Sequence, residues 1–181
     1  MWIANLKIEN FRGIKKGDIQ FSNHSIIIGP NNSGKTTIIE ALALLYGRDK
    51  MIRSLTEHDF YGSDPKPADR INLLSTIVGF PSQKPEDSNW FGEGRAIPKW
   101  YDAKTNKLSP TPNKDANLLA CQIAFSARFD KTTLEVETLR YFYDGDGEFE
   151  DAFIDDSCTP LSRKFATELG FFLVPANRFL G

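Results

Sequence analysis

The spacing of apolar residues predicts many strands and one well-defined helix near the N-terminus. From Lys35 to Tyr46 apolar residues recur at helical intervals, and Gly47 follows as a helix stop signal. Residues 160–169 have the same period with Pro160 near the start, which predicts a second helix. The apolar positions of the first helix are Ile38, Ile39, Leu42, Leu45 and Tyr46. Short apolar or alternating runs predict strands at residues 2–9, 18–21, 71–80, 118–129, 132–143, 148–154 and 171–174.

Polar and glycine-rich segments separate these elements. Residues 10–13 predict a turn after the first strand, and the DGDG sequence at 144–147 predicts a hairpin turn. Residues 25–28 (SIII) form a continuous apolar run of the kind that becomes a strand buried on both faces. Ser54 and Glu57 have the spacing of a capping box and predict a short helical turn.

The composition is that of one ordinary globular domain. The chain has 181 residues, of which 40% are hydrophobic and 25% charged, enough for one sizeable core. No apolar run approaches the roughly 20 residues of a membrane span, and a net charge of −2 provides no general attraction to nucleic acid. Cys121 and Cys158 lack paired spacing, which is typical of reduced thiols in a cytoplasmic protein. The isolated His24 and His58 predict no metal cluster.

The sequence GPNNSGKT at residues 29–36 matches the phosphate-binding pattern G-x-x-x-x-G-K-[ST]. The apolar run before it and the helix after it place strand, glycine loop and helix in the required order. Gly29 and Gly34 let the backbone turn sharply and approach a polyphosphate. Main-chain N–H groups of the loop and of the helix N-terminus would bind phosphate oxygens. Lys35 would place its ammonium on the β- and γ-phosphates, and the Thr36 hydroxyl would ligate Mg²⁺.

A nucleotide switch of small-GTPase type is the main alternative. Residues 59–62 fit D-x-x-G, residues 105–108 resemble the guanine-reading N-K-x-D, and residues 126–127 resemble the later loop of such proteins. Guanine recognition needs a carboxylate where Ser109 stands, and residues 54–58 are polar where a buried strand should end. These departures favour an ATP-binding protein.

The acidic stretch from residue 144 to 156 has two further interpretations. It resembles a calcium loop, but Phe149 stands where such a loop needs glycine, so a solvated hairpin is predicted. Residues 153–156 (FIDD) resemble a Walker B strand, the element that ends in magnesium-holding acids. Too few apolar residues precede the acids, and an edge strand is predicted instead.

Residues 81–115 are rich in proline and lack a regular apolar period. Aromatic and basic residues alternate there, a pattern that could stack on bases and contact phosphates. Acidic residues nearly cancel the charge, so a surface insertion without nucleic-acid contact is predicted. The alternative is a binding module in which this insertion docks DNA or a partner and the nucleotide is structural.

The first forty residues resemble the SMC/RecF-type P-loop ATPases of the ABC superfamily. The resemblance rests on N-F-R-G at residues 10–13, a second short strand, and I-I-I-G-P-N-N-S-G-K-T-T at residues 26–37. The HDFYGSD sequence at 58–64 and FLVPANRF at 172–179 are similar to the N-terminal region of OLD-family ATP-dependent endonucleases.

This resemblance implies an α/β P-loop NTPase fold, an ABC-ATPase-like N-terminal lobe with a mixed and antiparallel sheet packed on the P-loop helix. It also implies ATP and Mg²⁺ as ligands, pairing of two ATPase domains in a homodimer, and hydrolysis coupled to DNA processing. The implied nucleotide-binding residues are Gly29, Asn31, Asn32, Ser33, Gly34, Lys35, Thr36, Thr37 and Arg12.

No signature segment, convincing Walker B acid or Toprim nuclease domain is recognisable in the sequence. We therefore expect residues 1–181 to be a single ATPase lobe, the N-terminal part of a longer protein. We also expect this lobe alone to bind nucleotide weakly and to hydrolyse it very slowly, because the acid that orients water is missing.

Overall fold

The structure is a computed structural model that describes residues 1–30, 33–47, 54–92, 95–154, 158–162 and 165. Within these residues it contains eight strands, one α-helix and two 3₁₀ turns, the latter at Glu57–Asp59 and Pro85–Asp87. The helix, α1, spans Lys35–Tyr46. The strands are β1 (Trp2–Phe11), β2 (Ile14–Gln20), β3 (Ile71–Val78), β4 (Lys99–Asp102), β5 (Lys107–Ser109), β6 (Leu118–Asp130), β7 (Glu135–Phe142) and β8 (Thr159–Pro160).

All of these strands belong to one sheet, in the order β2-β1-β3-β6-β4-β5. Strand β7 pairs with β6 and carries β8 on its outer side. Every pairing between these strands is antiparallel. β6 has 13 residues, so β4 and β7 pair with successive parts of one of its edges. The α/β class is therefore confirmed, with an antiparallel sheet in the part of the chain that the structure describes.

The strands predicted from residues 2–9, 71–80, 118–129 and 132–143 are confirmed as β1, β3, β6 and β7. The second strand begins at Ile14, four residues earlier than predicted, because Phe11 pairs directly with Ile14 across a two-residue turn. β3 is buried along its whole length and lies between β1 and β6. It is therefore a central strand of the sheet, and other side chains pack on both of its faces.

Helix α1 packs across β1, β3 and β6 and buries one side against them. Its bounds confirm the predicted helix, and Leu44 and Leu45 are at most 1% exposed. Ile39 was predicted on the apolar face but is 41% exposed. The end of α1 is held from the sheet, since Arg140 of β7 donates to the Gly47 carbonyl at 2.8 Å. A cation at a helix C-terminus also interacts favourably with the negative end of the helix dipole.

Residues 81–115 are not an irregular surface insertion. They contribute the β4–β5 hairpin to the sheet and several aromatic side chains to the core. Trp90 packs edge-to-face on Phe80 and Phe165, with ring centroids 5.7 and 4.7 Å apart. Tyr101 is 3% exposed and donates to Asn106. The aromatic residues are spaced for packing on the sheet rather than for stacking on bases.

Lys99 lies buried where β4 and β7 meet at β6. Its ammonium donates to the Gln122 side-chain oxygen at 2.7 Å and to the Gly145 carbonyl at 2.6 Å. Burial lowers the pKa of Lys99 to about 8, and the charges of Asp144 and Asp146 oppose that shift in part. The lysine therefore joins the two strands at their junction and holds the acidic segment that follows β7.

The predicted hairpin at residues 144–147 and the strand at 148–154 are wrong. Phe149 and Ala152 pack with Tyr143 on the face of the sheet opposite α1, so the segment crosses that face instead of pairing at an edge. The edge strand predicted at residues 153–156 is also wrong in its described part. Residues 153–154 form a turn, and residues 155–156 lie outside the described residues.

The predicted cap at Ser54 and Glu57 is displaced by two residues. The capping box forms between Thr56 and Asp59, where the Asp59 carboxylate accepts from the Thr56 N–H at 2.8 Å. The predicted helix at 160–169 lies mostly, and the strand at 171–174 entirely, outside the described residues. Among the described helices, none combines the length and the apolar character needed to cross a bilayer.

Candidate nucleotide-binding site

The glycine loop ends at Gly34, directly before the first residue of α1, in a backbone conformation that only glycine adopts readily. Gly34 has φ +87° and acts as the N-cap, and its carbonyl accepts from the Ile38 N–H at 3.0 Å. At the other end of the loop, a Cβ on Gly29 would lie 2.7 Å from the Ser33 hydroxyl. Both motif glycines are thus required by the local geometry. Two predicted site residues, Asn31 and Asn32, lie outside the described residues.

The Lys35 side chain folds back over the loop. Its ammonium donates to the carbonyl oxygens of Gly29 at 2.5 Å and Pro30 at 2.6 Å, and it lies 3.4 Å from the Ser33 hydroxyl. A triphosphate would offer this cation anionic acceptors, which form stronger hydrogen bonds than carbonyl groups. The lysine is therefore within reach of the loop whose amides would bind the same phosphates.

Among the described residues, no side chain caps the N-terminus of α1. The first turn of the helix contains no acidic residue. Its unpaired N–H groups and the positive end of its dipole suit an anionic ligand. Thr36 is exposed at this point, and Thr37 beside it is half-buried.

By the sequence motif, the exposed Thr36 hydroxyl would ligate a magnesium ion that is bound mainly by phosphate oxygens and water, the usual arrangement for Mg²⁺ in nucleotide sites. No cluster of three or more His, Cys, Asp or Glu side chains suited to a metal occurs among the described residues. Thr36 would therefore be the protein ligand that the motif assigns to a nucleotide-bound Mg²⁺.

The strand predicted before the loop is not formed. Residues 25–28 have no strand partner among the described residues, and Ile26 and Ile28 are 86% and 88% exposed. A strand buried on both faces needs a neighbouring strand on each side and covering layers. Neither is present around this segment in the described structure, so the loop and the helix follow the prediction but the buried strand before them does not.

Arg12 is held by two carboxylates that the sequence analysis did not assign to the site. Its Nη1 forms an ion pair with Glu40 of α1, and its Nε donates to Asp59 at 2.9 Å. Ile14, two residues further on, lies against Gly34, since its Cδ1 is 3.8 Å from where a Cβ on that glycine would be. The turn that contains Arg12 is thus brought beside the loop.

The elements that suggested a GTPase make other contacts within the fold. Asp59 lies in the 3₁₀ turn and pairs with Arg12. Asn106 lies in the β4–β5 turn, where its side-chain oxygen accepts from Tyr101. Ser126 is fully buried within β6 and donates to Asn72 at 2.8 Å. Asn106 and Ser126, the described residues of the two guanine-reading resemblances, are thus engaged within the sheet and its turns, which favours an ATP-binding site over a GTPase.

The helix, its glycine loop and the sheet on which it packs define a P-loop nucleotide-binding fold. Residues 1–155 match the AAA ATPase domain family, which is more than half of the chain. The chain belongs to that family.

Several curated proteins are similar to part of this chain. The DNA replication and repair protein RecF of Chlamydia abortus is 43% identical over 65 residues, covering 35% of this chain and 18% of RecF. RecF of Vibrio parahaemolyticus is 50% identical over 50 residues, covering 26% of this chain and 14% of that protein. The endonuclease GajA of Bacillus cereus is 28% identical over 88 residues, covering 49% of this chain and 15% of GajA.

The matched region is less than a fifth of the length of each of these relatives. The resemblance to RecF-like P-loop ATPases is confirmed by these matches and by the family. The family also implies a nucleotide ligand.

Proposed function

We propose that this chain binds Mg²⁺-ATP at residues 29–37 and serves as the ATPase lobe of a protein that processes DNA. Lys35 and the loop amides bind the β- and γ-phosphates, the Thr36 hydroxyl ligates Mg²⁺, and Thr37 adds its main-chain N–H at the helix start. Asn31 and Asn32 complete the loop by the sequence motif.

One observation carries this proposal. A left-handed Gly34 starts α1, and the ammonium of the next residue, Lys35, lies across the loop carbonyls at 2.5 and 2.6 Å. This places the cation and the uncapped helix N-terminus on the same short segment. The pairing of the two is what binding a polyphosphate requires.

The DNA-linked part of the proposal is supported by the relatives. RecF is named for DNA replication and repair and GajA for endonuclease activity, and each matches part of this chain. We propose an OLD-like or RecF-like ATPase in a longer cytoplasmic protein, with two ATPase lobes paired in a homodimer. Hydrolysis would need an acid that orients water, and no described residue is assigned to that role. We therefore expect very slow hydrolysis by these 181 residues alone.

Calorimetry with Mg²⁺ and a non-hydrolysable ATP analogue tests the binding site. We expect Lys35→Ala to weaken binding about 10–100-fold, the equivalent of one lost charge-assisted hydrogen bond. Lys114→Ala removes the same charge from an exposed position and should leave the affinity unchanged. Competition should favour ATP over GTP. Equal affinity of the Lys35→Ala variant and the parent chain would refute the proposed site.

The other parts have separate tests. ATP-dependent dimerisation would appear as an increase in mass by light scattering when the analogue is added. Rapid turnover by the purified chain would contradict the expected slow hydrolysis.

The alternative of a DNA- or partner-docking insertion predicts that exchanging exposed basic residues of the β4–β5 hairpin, such as Lys104 and Lys107, weakens DNA binding. Because the aromatic residues of that segment are packed in the fold, we expect no such effect.

A further inference from the structure

Three separate elements meet at the guanidinium of Arg12. The residue itself lies in the turn between β1 and β2. Its Nη1 pairs with Glu40 on α1, and its Nε pairs with Asp59 in the 3₁₀ turn at 2.9 Å. The Arg12 side chain is 38% exposed, whereas those of Glu40 and Asp59 are 23% and 12% exposed. These partly buried contacts are screened less than pairs on the open surface.

The backbone around Arg12 is fixed as firmly as its side chain. Asn10 and Arg12 have φ values of +55° and +50°, which are uncommon for residues other than glycine. The Arg12 N–H donates to the Asp59 carbonyl at 2.7 Å, and the Tyr61 N–H donates to the Asn10 carbonyl at 2.9 Å. Strained residues of this kind persist only where the surrounding contacts define their conformation. Arg12 therefore has little freedom to swing toward another partner.

The second carboxylate oxygen of Asp59 is also engaged. It accepts from the Thr56 N–H at 2.8 Å and closes the capping box of the 3₁₀ turn. The cluster therefore contains one cation and two carboxylates, with a net charge of −1. Such a cluster offers no surplus positive charge to a phosphate, and its geometry is that of a connector.

The cluster is connected directly to the phosphate-binding loop. Glu40 follows Lys35 by five residues, or about 7 Å along the axis of α1. The turn that holds Arg12 also supplies Ile14, whose Cδ1 is 3.8 Å from the Cβ position of Gly34. A change in the Arg12 ion pairs would thus affect the position of the first turns of α1, the helix that carries Lys35.

We propose that Arg12 is a positioning residue of the nucleotide site: through Glu40 and Asp59 it sets the place of the α1 N-terminus and the glycine loop. It does not bind phosphate itself. This inference rests on the proposed function for its effect on nucleotide affinity. It differs from the role that the sequence resemblance implied, in which the Arg12 guanidinium contacts the nucleotide.

The variant Glu40→Gln separates the two roles because they predict opposite results. A positioning Arg12 loses its hold on α1, so we expect affinity for the Mg²⁺-bound ATP analogue and for ADP to fall about 3–10-fold alike. A phosphate-binding Arg12 would be released by the same change, and affinity for the triphosphate would stay equal or rise. Asp59→Asn should act in the same direction as Glu40→Gln. Glu137→Gln, which neutralises an exposed ion pair with Arg128, is the matched control.

A double-mutant comparison tests the connection itself. If Arg12 acts through Glu40, the double variant Arg12→Gln/Glu40→Gln binds nucleotide no more weakly than the worse single variant. Independent, multiplying losses would contradict the inference. Should Arg12→Gln fail to fold, the Glu40→Gln result decides on its own, since that change lies on the surface of α1 and leaves the strained turn intact.

A measurement without nucleotide keeps the inference distinct from the proposed function. The Ile38 N–H closes the first turn of α1 on Gly34, and we expect its hydrogen exchange to be faster in Glu40→Gln than in the parent chain. Unchanged exchange at Ile38 together with unchanged affinity would overturn the positioning role. A different result would refute the proposed function alone: Lys35→Ala and Glu40→Gln both bind nucleotide as the parent chain does, while hydrogen exchange at Ile38 is faster in Glu40→Gln.

Discussion

Lys99 makes the stability of this protein depend on pH in an unusual direction. Its ammonium is buried at the junction of β4 and β7, and burial lowers its pKa from 10.5 to about 8. In the unfolded chain the lysine keeps its proton to higher pH than in the folded chain. Between these two pKa values the unfolded state binds more protons, so the free energy of unfolding rises with pH.

The size of the effect follows from the two pKa values. From pH 7 to pH 9.5 the lysine gives an increase of at most about 2 kcal/mol in unfolding free energy. Screening of the ammonium by solvent reduces this value, so we expect about 1–2 kcal/mol in practice. Buried groups whose pKa is raised act in the opposite direction: the Cys121 thiol already from about pH 9, and the buried tyrosines above pH 10. Burial raises the pKa of Tyr101 and of Tyr143, so each keeps its proton in the folded state.

The assay is urea unfolding followed by tryptophan fluorescence at several pH values between 7 and 9.5. Lys99→Met keeps a side chain of similar length but cannot titrate, so the rise with pH should disappear. Lys107→Met is the matched control, because Lys107 is exposed on the neighbouring β5 and should keep the slope of the parent chain. The same pH dependence in Lys99→Met and in the parent chain would refute the reasoning about the buried ammonium, because the opposing effect of Cys121 is common to both.

Three other changes should also alter stability, each measurable by urea unfolding. Gly79→Ala should cost more than about 1 kcal/mol, because Gly79 has φ +77° and its Cβ would lie 2.8 Å from the Trp2 ring; a neutral effect would contradict that packing. Arg140→Ala should cost about 1–2 kcal/mol by removing the donor at 2.8 Å from the Gly47 carbonyl, with less loss in Arg140→Lys. Trp90→Ala should cost about 2–4 kcal/mol through lost aromatic packing. It should leave any DNA affinity of the folded protein unchanged, whereas a selective loss of DNA binding would favour base stacking.

The local features of the site were predictable because short-range physics determines them. The motif glycines, Lys35 and the helical spacing after it define a loop that turns into a helix, and α1 begins and ends where its pattern predicts. The long antiparallel strands were equally recognisable, since their alternation reflects a sheet with two different faces.

The surroundings of Arg12 could not be predicted in the same way. Glu40 and Asp59 lie 28 and 47 residues from Arg12 in the chain, and nothing in their local sequence marks them as partners. Residues 81–115 carry an aromatic and basic pattern that suits either base stacking or packing. Only the fold shows which applies: the β4–β5 hairpin beside β6 buries Tyr101, and the rings of Phe80 and Phe165 pack on Trp90.

The sequence by itself determined the phosphate-binding loop, the helix that follows it and the family to which they belong, because those properties depend on neighbouring residues. Tertiary structure alone decided that residues 25–28 are exposed in the described structure and that residues 144–154 cross a face of the sheet. It also decided that Arg12 forms an ion pair with Glu40 of α1. These outcomes depend on which distant groups compete for the same donors and the same apolar surface. That competition is settled only when the chain is folded.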